Sequence, residues 1–407
     1  MRRRVVVTGM GITSCIGNDL AAVSVALQEG RSGLRFAPEF AAVGIRSQVV
    51  GLPDLSLEAT IPRRLRRFMG DAAVYAYHAM NKAIADAKLP PSLIQSERTG
   101  LILGEGVGSP FEHHTAMQTL TERGLSKVLP YLVPRIMGST AQANLAAAFG
   151  IRGASYAISS ACASSGHAIG NAFEHIAWGK QDIVFAGGAE EIHWTTAVPF
   201  DAMGALSRKY NDATASRPYD ANRDGFVLAG GAGILALEEL EHALARRAPI
   251  YAELVGYGAS SDGADMVIPT ANGAARAMRL ALQDAQMQPT EIDYINAHAT
   301  GTPVGDLIEL EAITSVFAAA PNLKVSSTKG LTGHPIGASA VHEAIYGLLM
   351  VQGGFMAGCT NLQTMDAAAL QAPLLRDVQW QSIGALLSNS FGFGGANASL
   401  IFRQLHL

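Results

Sequence analysis

Cysteine is scarce in this chain, with three among 407 residues. Cys15, Cys162 and Cys359 lie far apart, form no CxxC pair and match no Cys/His zinc spacing. That excludes a disulfide scaffold and a zinc ribbon, and it fits a reducing compartment. No carboxylate stands at ligand spacing beside Cys162, His298 or His334, so no metal is expected there. Long apolar runs are also missing. The longest near-apolar stretch, Phe226 to Leu237, has 12 residues, whereas a membrane span needs about 20. The opening Met1-Arg-Arg-Arg-Val-Val-Val imitates a signal peptide, but Thr8, Gly9, Gly11, Thr13 and Ser14 interrupt it and no small-x-small cleavage site follows. A soluble, cytoplasmic protein with no membrane partner is expected. Charged residues are only 16% and the net charge is −4, which argues against general nucleic-acid binding.

Apolar residues and glycine are abundant: 49% of the chain is apolar and 43 residues are glycine. That suits a large core with many close backbone contacts. The chain reads as alternating strands and helices in two halves joined near residue 250, hence α/β layers. Strands are expected at Val5–Val7, Thr99–Leu103 and Asp182–Ala186, around a kink in Phe226–Glu238, and at Ile250–Tyr257, Tyr294–Ala297, Lys324–Ser326, Ile383–Leu387 and Ala398–Phe402. Helices are expected at Leu20–Leu27, Asp71–Ala87, Ala274–Ala285, Asp306–Phe317 and Ala338–Gln352. Thr8-Gly-Met-Gly11-Ile and Gly187-Gly188 read as turns, and Ser388–Asn397 as a loop. The glycines after the first strand imitate a dinucleotide-binding start, but no second strand with an acidic end follows, so a nucleotide site is not expected.

Three stretches share one layout, a strand, then a reactive residue, then small residues. Tyr156-Ala-Ile-Ser-Ser-Ala-Cys162-Ala-Ser-Ser-Gly166 carries a cysteine where a helix begins. This is the layout of a nucleophile elbow. Free N–H groups and the positive helix end would face the sulfur and lower the thiol pKa. Asn296-Ala-His298-Ala-Thr300-Gly-Thr302 and Lys329-Gly-Leu-Thr-Gly-His334-Pro-Ile-Gly337 each place a histidine in a loop after a strand. Such loops meet where open α/β sheets bind ligands. Ser388-Asn-Ser-Phe-Gly-Phe393-Gly-Gly-Ala-Asn397 offers glycine-flanked N–H groups to an oxyanion. A lone cysteine is more often structural, and a lone histidine beside an apolar strand usually is too. Three such loops together are harder to dismiss.

With Ser-Ser-Ala-Cys-Ala, Gly-Lys-Gln-Asp-Ile-Val-Phe-Ala-Gly-Gly, Phe-Asp-Ala-Met-Gly-Ala-Leu-Ser, Arg-Asp-Gly-Phe-Val and Ser-Asn-Ser-Phe-Gly-Phe-Gly-Gly in hand, the chain resembles the β-ketoacyl-acyl-carrier-protein synthases, condensing enzymes of the thiolase superfamily, closest to their type I form. The resemblance covers nearly the whole chain. It implies two similar βαβαβαββ halves, 1–250 with the elbow and 251–407 with both histidines, in a five-layered α-β-α-β-α arrangement that works as a homodimer. It implies a decarboxylative Claisen condensation of acyl and malonyl groups held on the phosphopantetheine of acyl carrier protein, with no other cofactor. Rival readings are a specialised ketosynthase for polyenes or other lipids, and a non-catalytic chain-length partner. The latter usually lacks the nucleophile, which is present here.

The same resemblance implies roles residue by residue. Cys162 carries the acyl chain, and His298 and His334 donate to the enolate. Lys329 and Glu343 form a charged pair beside the second histidine. Thr300 and Thr302 contact the phosphopantetheine arm. Phe393 gates the acyl pocket and shares an oxyanion site with the Cys162 N–H. Val107, Met137 and Phe200 shape the acyl pocket, while Asp265, Thr270 and Asn397 lie on loops around the gate. Arg63, Arg64, Arg66, Arg67, Arg123 and Lys127 form a docking patch for the acidic carrier protein. The chain departs from the usual pattern at Ala299 and Gly301, at Pro335, at Glu105, at Asn397 and at Val107, where the type I form has glycine.

Overall fold

The computed structural model describes residues 2–54 and 60–405. Ten main strands carry the architecture. The first five are β1 (Val5–Thr13), β2 (Thr99–Glu105), β3 (Ser155–Ile158), β4 (Ile183–Glu190) and β5 (Gly231–Glu239). The second five are β6 (Ala252–Ser261), β7 (Tyr294–Asn296), β8 (Lys324–Ser326), β9 (Ala385–Gly392) and β10 (Ala396–Arg403). The first half pairs in the order β3-β2-β4-β5-β1 and the second in the order β8-β7-β9-β10-β6. Counted within each half, both orders are 3-2-4-5-1. Strand directions repeat as well, with the two outer pairings parallel and the two inner ones antiparallel. The halves join where β1 and β6 run antiparallel, with Val6 opposite Glu253.

Six helices complete the layers: α1 (Asp71–Asp86), α2 (Thr140–Phe149), α3 (Ser164–Ala177), α4 (Ala271–Ala285), α5 (Gly305–Phe317) and α6 (Ser339–Gly353). On one outer face, α1 packs on β1 and β5, and α2 packs on α1 and β2. On the other, α4 packs on β6 and β10 and is covered by α5. Between the two five-stranded halves of this sheet lie α3 and α6, which touch each other and strands of both halves. This is the five-layered α-β-α-β-α arrangement. It explains the patterning of α6, whose side chains from Ser339 to Val351 are all buried, so the helix is apolar nearly all round. Local signals set the ends. The Thr270 hydroxyl caps α4 by accepting from Gly273 N–H, and Gly354, in the left-handed conformation, stops α6.

Three expectations are corrected. Thr8–Ile12 is not a turn but lies within β1, which runs on to Thr13. Glycine is needed there for close approach: a Cβ on Gly11 would lie 1.9 Å from the Ala79 carbonyl oxygen of α1. That strand geometry also removes the resemblance to a dinucleotide loop. Gly187 and Gly188 continue β4 to Glu190. The stretch Ser388–Asn397 is a β9–β10 hairpin with a tight Phe393-Gly394-Gly395 turn, not a long loop. In each case small residues imitate turns while serving to let layers pack closely.

Candidate active site

Cys162 sits just before α3, after the end of β3. Ala161 takes φ 49°, a left-handed conformation that a residue with a small side chain tolerates better than a bulky one. The bend is strapped by Ser164, whose hydroxyl accepts from Ser160 N–H at 2.8 Å and donates to the Ala161 carbonyl at 2.6 Å. The Ser390 hydroxyl of β9 donates to the Cys162 carbonyl at 2.7 Å. This ties the elbow of the first half to the hairpin of the second. A side chain on Gly392 would run into Ser160 O at 2.8 Å and Cys162 N at 3.1 Å, so the hairpin reaches the sulfur because this position is glycine.

The two histidines converge on that sulfur. His334 Nε2 lies 3.0 Å from Cys162 Sγ, and the His298 and His334 rings meet edge to face at 5.2 Å. His298 is held through its backbone: its N–H and that of Ala299 donate to the two oxygens of Glu309 on α5, at 2.9 and 2.7 Å. Asn389 of β9 donates to the same carboxylate at 3.1 Å. His334 is pinned between Val227 O and Ala229 N. Its Nδ1 is 2.8 Å from the Ser339 hydroxyl.

Burial and one cation set the protonation states. Burial first, then the Lys329 charge, holds both imidazoles well below the ordinary histidine range, so both are neutral at pH 7. The thiol does not behave as its place at a helix start suggests. Burial pushes Cys162 up to about 12, against the opposing pull of Lys329 and of the Phe393 and Cys162 N–H groups. The resting group is a thiol, because the apolar setting outweighs the donors around it. Lys329, fully buried, is ion-paired with Glu343 of α6. Burial raises Glu343 to about 7 even with the lysine beside it.

Sγ and the histidine nitrogens lie within 4.8 Å of one another, close enough to invite a metal. The Lys329 charge bears on all three groups, and a second cation among them would meet its repulsion. The three side chains instead face an apolar cavity of about 330 Å³, also lined by Phe200, Phe226, Phe391, Phe393, Thr300, Thr302 and Asn397.

Residues 2–243 match the family "Beta-ketoacyl synthase, N-terminal domain", and residues 251–363 match "Beta-ketoacyl synthase, C-terminal domain". The chain belongs to the β-ketoacyl synthase family. It is 52% identical over 407 residues, 99% of each chain, to 3-oxoacyl-[acyl-carrier-protein] synthase 1 of Escherichia coli strain K12. It superposes on a β-ketoacyl synthase from Burkholderia phymatum with TM-score 0.93 and 38% identity over the whole of both chains. It superposes similarly, at TM-score 0.91 and 30% identity, on a type II PKS ketosynthase solved in complex with its acyl-carrier protein.

The other residues singled out in this β-ketoacyl synthase sequence fall in several places. Asp265 lies on the cavity rim and accepts from Val267 and Ile268 N–H. Asn397 donates to Asp262 at 2.7 Å, and Thr270 serves as the α4 cap. Val107 and Met137 are not on the cavity of the sulfur. Val107 is 42% exposed and lines a second, more open cavity with His113, Met117, Trp194 and Val198. Arg63, Arg64, Arg67, Arg123 and Lys127 are exposed. Arg66 is half-buried and engaged with Met69 O and Asp71, so it is not a free surface charge. Arg67 stacks on Phe68 and Tyr131.

Sequence reasoning missed Glu309, Ser339, Ser390 and the buried carboxylates Glu190 and Glu191, and marked the equally buried Glu105 only as a departure from the family pattern. Glu190 accepts from Gly106 and Gly337 N–H at 2.9 and 3.0 Å, clamping the His334 loop to the end of β2. Only the charged Glu190-Glu191 pair ending an apolar strand signalled it.

Proposed function

We propose that this β-ketoacyl synthase elongates acyl chains on acyl carrier protein with Cys162 as its nucleophile. The observation carrying the reading is the convergence of one sulfur, two neutral imidazoles and two backbone N–H groups on the floor of an apolar cavity. In the first half-reaction Sγ attacks the acyl thioester carbonyl. The bond to the phosphopantetheine sulfur breaks, and that sulfur leaves with the proton given up by Cys162, so one thiol replaces another. A malonyl thioester then enters. Its free carboxylate departs as CO2, and the electron pair of the broken C–C bond flows into the thioester carbonyl to give an enolate. His298 and His334 donate N–H groups to the enolate oxygen, where the charge develops. Being neutral, they stabilise it without protonating it. The enolate carbon attacks the acyl-Cys162 carbonyl, and the resulting oxyanion is received by the Cys162 and Phe393 N–H groups. Collapse expels the Cys162 thiolate, which takes a proton from solvent, and the product stays on the carrier two carbons longer.

In this reading Lys329 and Glu343 supply the local field rather than a proton. Thr300 and Thr302 receive the phosphopantetheine arm, and no free cofactor enters the chemistry. Phe393, flanked by Phe200 at 6.3 Å between ring centres, gates the acyl pocket, with Asp265, Thr270 and Asn397 around it. Val107 and Met137 would reach that pocket through a homodimer. The apolar side chains exposed around Val107, among them Phe111, Met117 and Val198, support such a pairing. The carrier protein would dock on the exposed Arg63, Arg64, Arg67, Arg123 and Lys127, with Arg66 held behind them by Met69 and Asp71. We read the two halves as domains dividing at residues 250 and 251. No helix among the described residues is long and apolar enough to cross a membrane, in keeping with work in the cytoplasm.

Mass spectrometry after incubation with an acyl carrier-protein substrate tests the nucleophile. An acyl adduct on Cys162 is expected. Cys162→Ala should abolish condensation while malonyl decarboxylation continues, because the histidines act on a different carbonyl. An adduct on Cys15 or Cys359, with Cys162 free, would refute the assignment.

A further inference from the structure

We propose that Ser339 is a positioning residue that selects the tautomer of His334. The inference deepens the reading above, since it rests on His334 acting as an N–H donor. A neutral imidazole carries one N–H, and which nitrogen holds it is set by the hydrogen bond made at the other. Around His334 the choice of partner at Nδ1 is narrow. Pro335 follows directly and has no N–H to offer. The ring is walled by Phe226 and His298, whose rings stand edge to face at 5.3 and 5.2 Å. The only hydrogen-bond partner of Nδ1 among the described residues is the Ser339 hydroxyl at 2.8 Å.

Ser339 is itself fully buried, in the first position of α6. Its hydroxyl is held against the imidazole by the fold rather than by solvent. The clamp of Gly337 N–H on Glu190 and the turn bond from Ala338 N to Pro335 O fix the short connection between the two residues. When the hydroxyl donates to Nδ1, the single N–H of His334 lies on Nε2, the nitrogen 3.0 Å from Cys162 Sγ. That N–H then faces the sulfur at rest and the enolate oxygen during condensation. Without the hydroxyl the imidazole can place its proton on either nitrogen, and molecules protonated at Nδ1 present a lone pair to the enolate. His298 supplies an internal contrast. Its Nδ1 is buried with no hydrogen-bond partner among the described residues, so only one of the two donors is fixed this way.

The test is malonyl carrier-protein decarboxylation by Ser339→Ala, with ¹⁵N shifts of histidine-labelled protein to read the tautomer. A net hydrogen bond worth about 0.5–1.5 kcal/mol corresponds to a loss of up to roughly tenfold. The expected result is a kcat lowered about tenfold, an essentially unchanged KM and a His334 signal shifted from the Nε2–H form toward a mixture. Ser339→Thr keeps the hydroxyl and should recover most of the rate. Ser339→Val, its isostere without the hydroxyl, should not. Native kcat and an unmixed Nε2–H signal in Ser339→Ala would overturn the proposal, as would equal rates in the Thr and Val variants. His334→Ala is run alongside. If it decarboxylates normally, the donor reading itself fails; if it is inactive while Ser339→Ala is native-like, only the Ser339 proposal fails.

Discussion

Replacing Lys329 by methionine removes a buried charge while keeping most of the side-chain volume. Lys329 is wholly buried and ion-paired with Glu343, itself nearly inaccessible. Taking away one partner of such a pair costs about 3–5 kcal/mol, because the other charge is left uncompensated. Glu343 already sits at about 7, raised by burial and pulled back by Lys329. Glu309, also raised to about 7, is eased by the same lysine. Without it both carboxyls hold a proton more tightly in the folded state, Glu343 the more so because Glu309 keeps its His298, Ala299 and Asn389 donors. The unfolded chain releases that proton near the ordinary value of 4.5. Between that value and the raised one the folded state binds more protons, so stability falls as pH rises, by about 1.4 kcal/mol per unit of added pKa separation. The gap between the native protein and Lys329→Met should therefore be small near pH 5 and grow toward pH 8.5. Adding Glu343→Gln removes the stranded charge and should narrow the gap at pH 8.5. Denaturant midpoints at three pH values measure this. A gap of equal size at every pH, or a double variant no more stable than the single one, would refute the account of the pair.

Three further outcomes are expected. His298→Ala and His334→Ala should each slow malonyl decarboxylation about 10²–10³-fold, the usual cost of one positioned donor, while Cys162 still takes up an acyl group; this is read by CO2 release and by mass spectrometry. Arg63→Glu with Arg64→Glu should raise the apparent KM for carrier-bound substrate and flatten its salt dependence, leaving small thioesters unaffected, since opposite charges mainly govern encounter. Val107→Gly should change relative rates across saturated and cis-unsaturated acyl carrier proteins, a buried methylene being worth about 1–3 kcal/mol in a specificity pocket; a rate profile unchanged within about twofold would place selectivity elsewhere.

The sequence by itself marked the candidate site residues and the alternation of strands and helices, while the five-layered arrangement was legible only through the family resemblance. Cys162, His298 and His334 each follow a strand and precede small residues, a local pattern that needs no long-range information. The strand and helix order through both halves was legible because hydrophobic runs and helical periodicity are local too. Where reading along the chain failed, the determining contact was distant. Gly9 and Gly11 look like turn residues until α1 is seen lying against them, and the glycines of the 388–397 segment look like a loop until β9 and β10 are paired. Only the tertiary structure set the state of the site. A helix start beside Cys162 argues for a low thiol pKa, but burial by layers from both halves decides the balance and keeps the proton on sulfur. Glu309 and Ser339 were illegible for the same reason: a glutamate on a helix and a serine at a helix start are ordinary locally. They matter because folding seals them from water against the backbone of one histidine and the ring of the other.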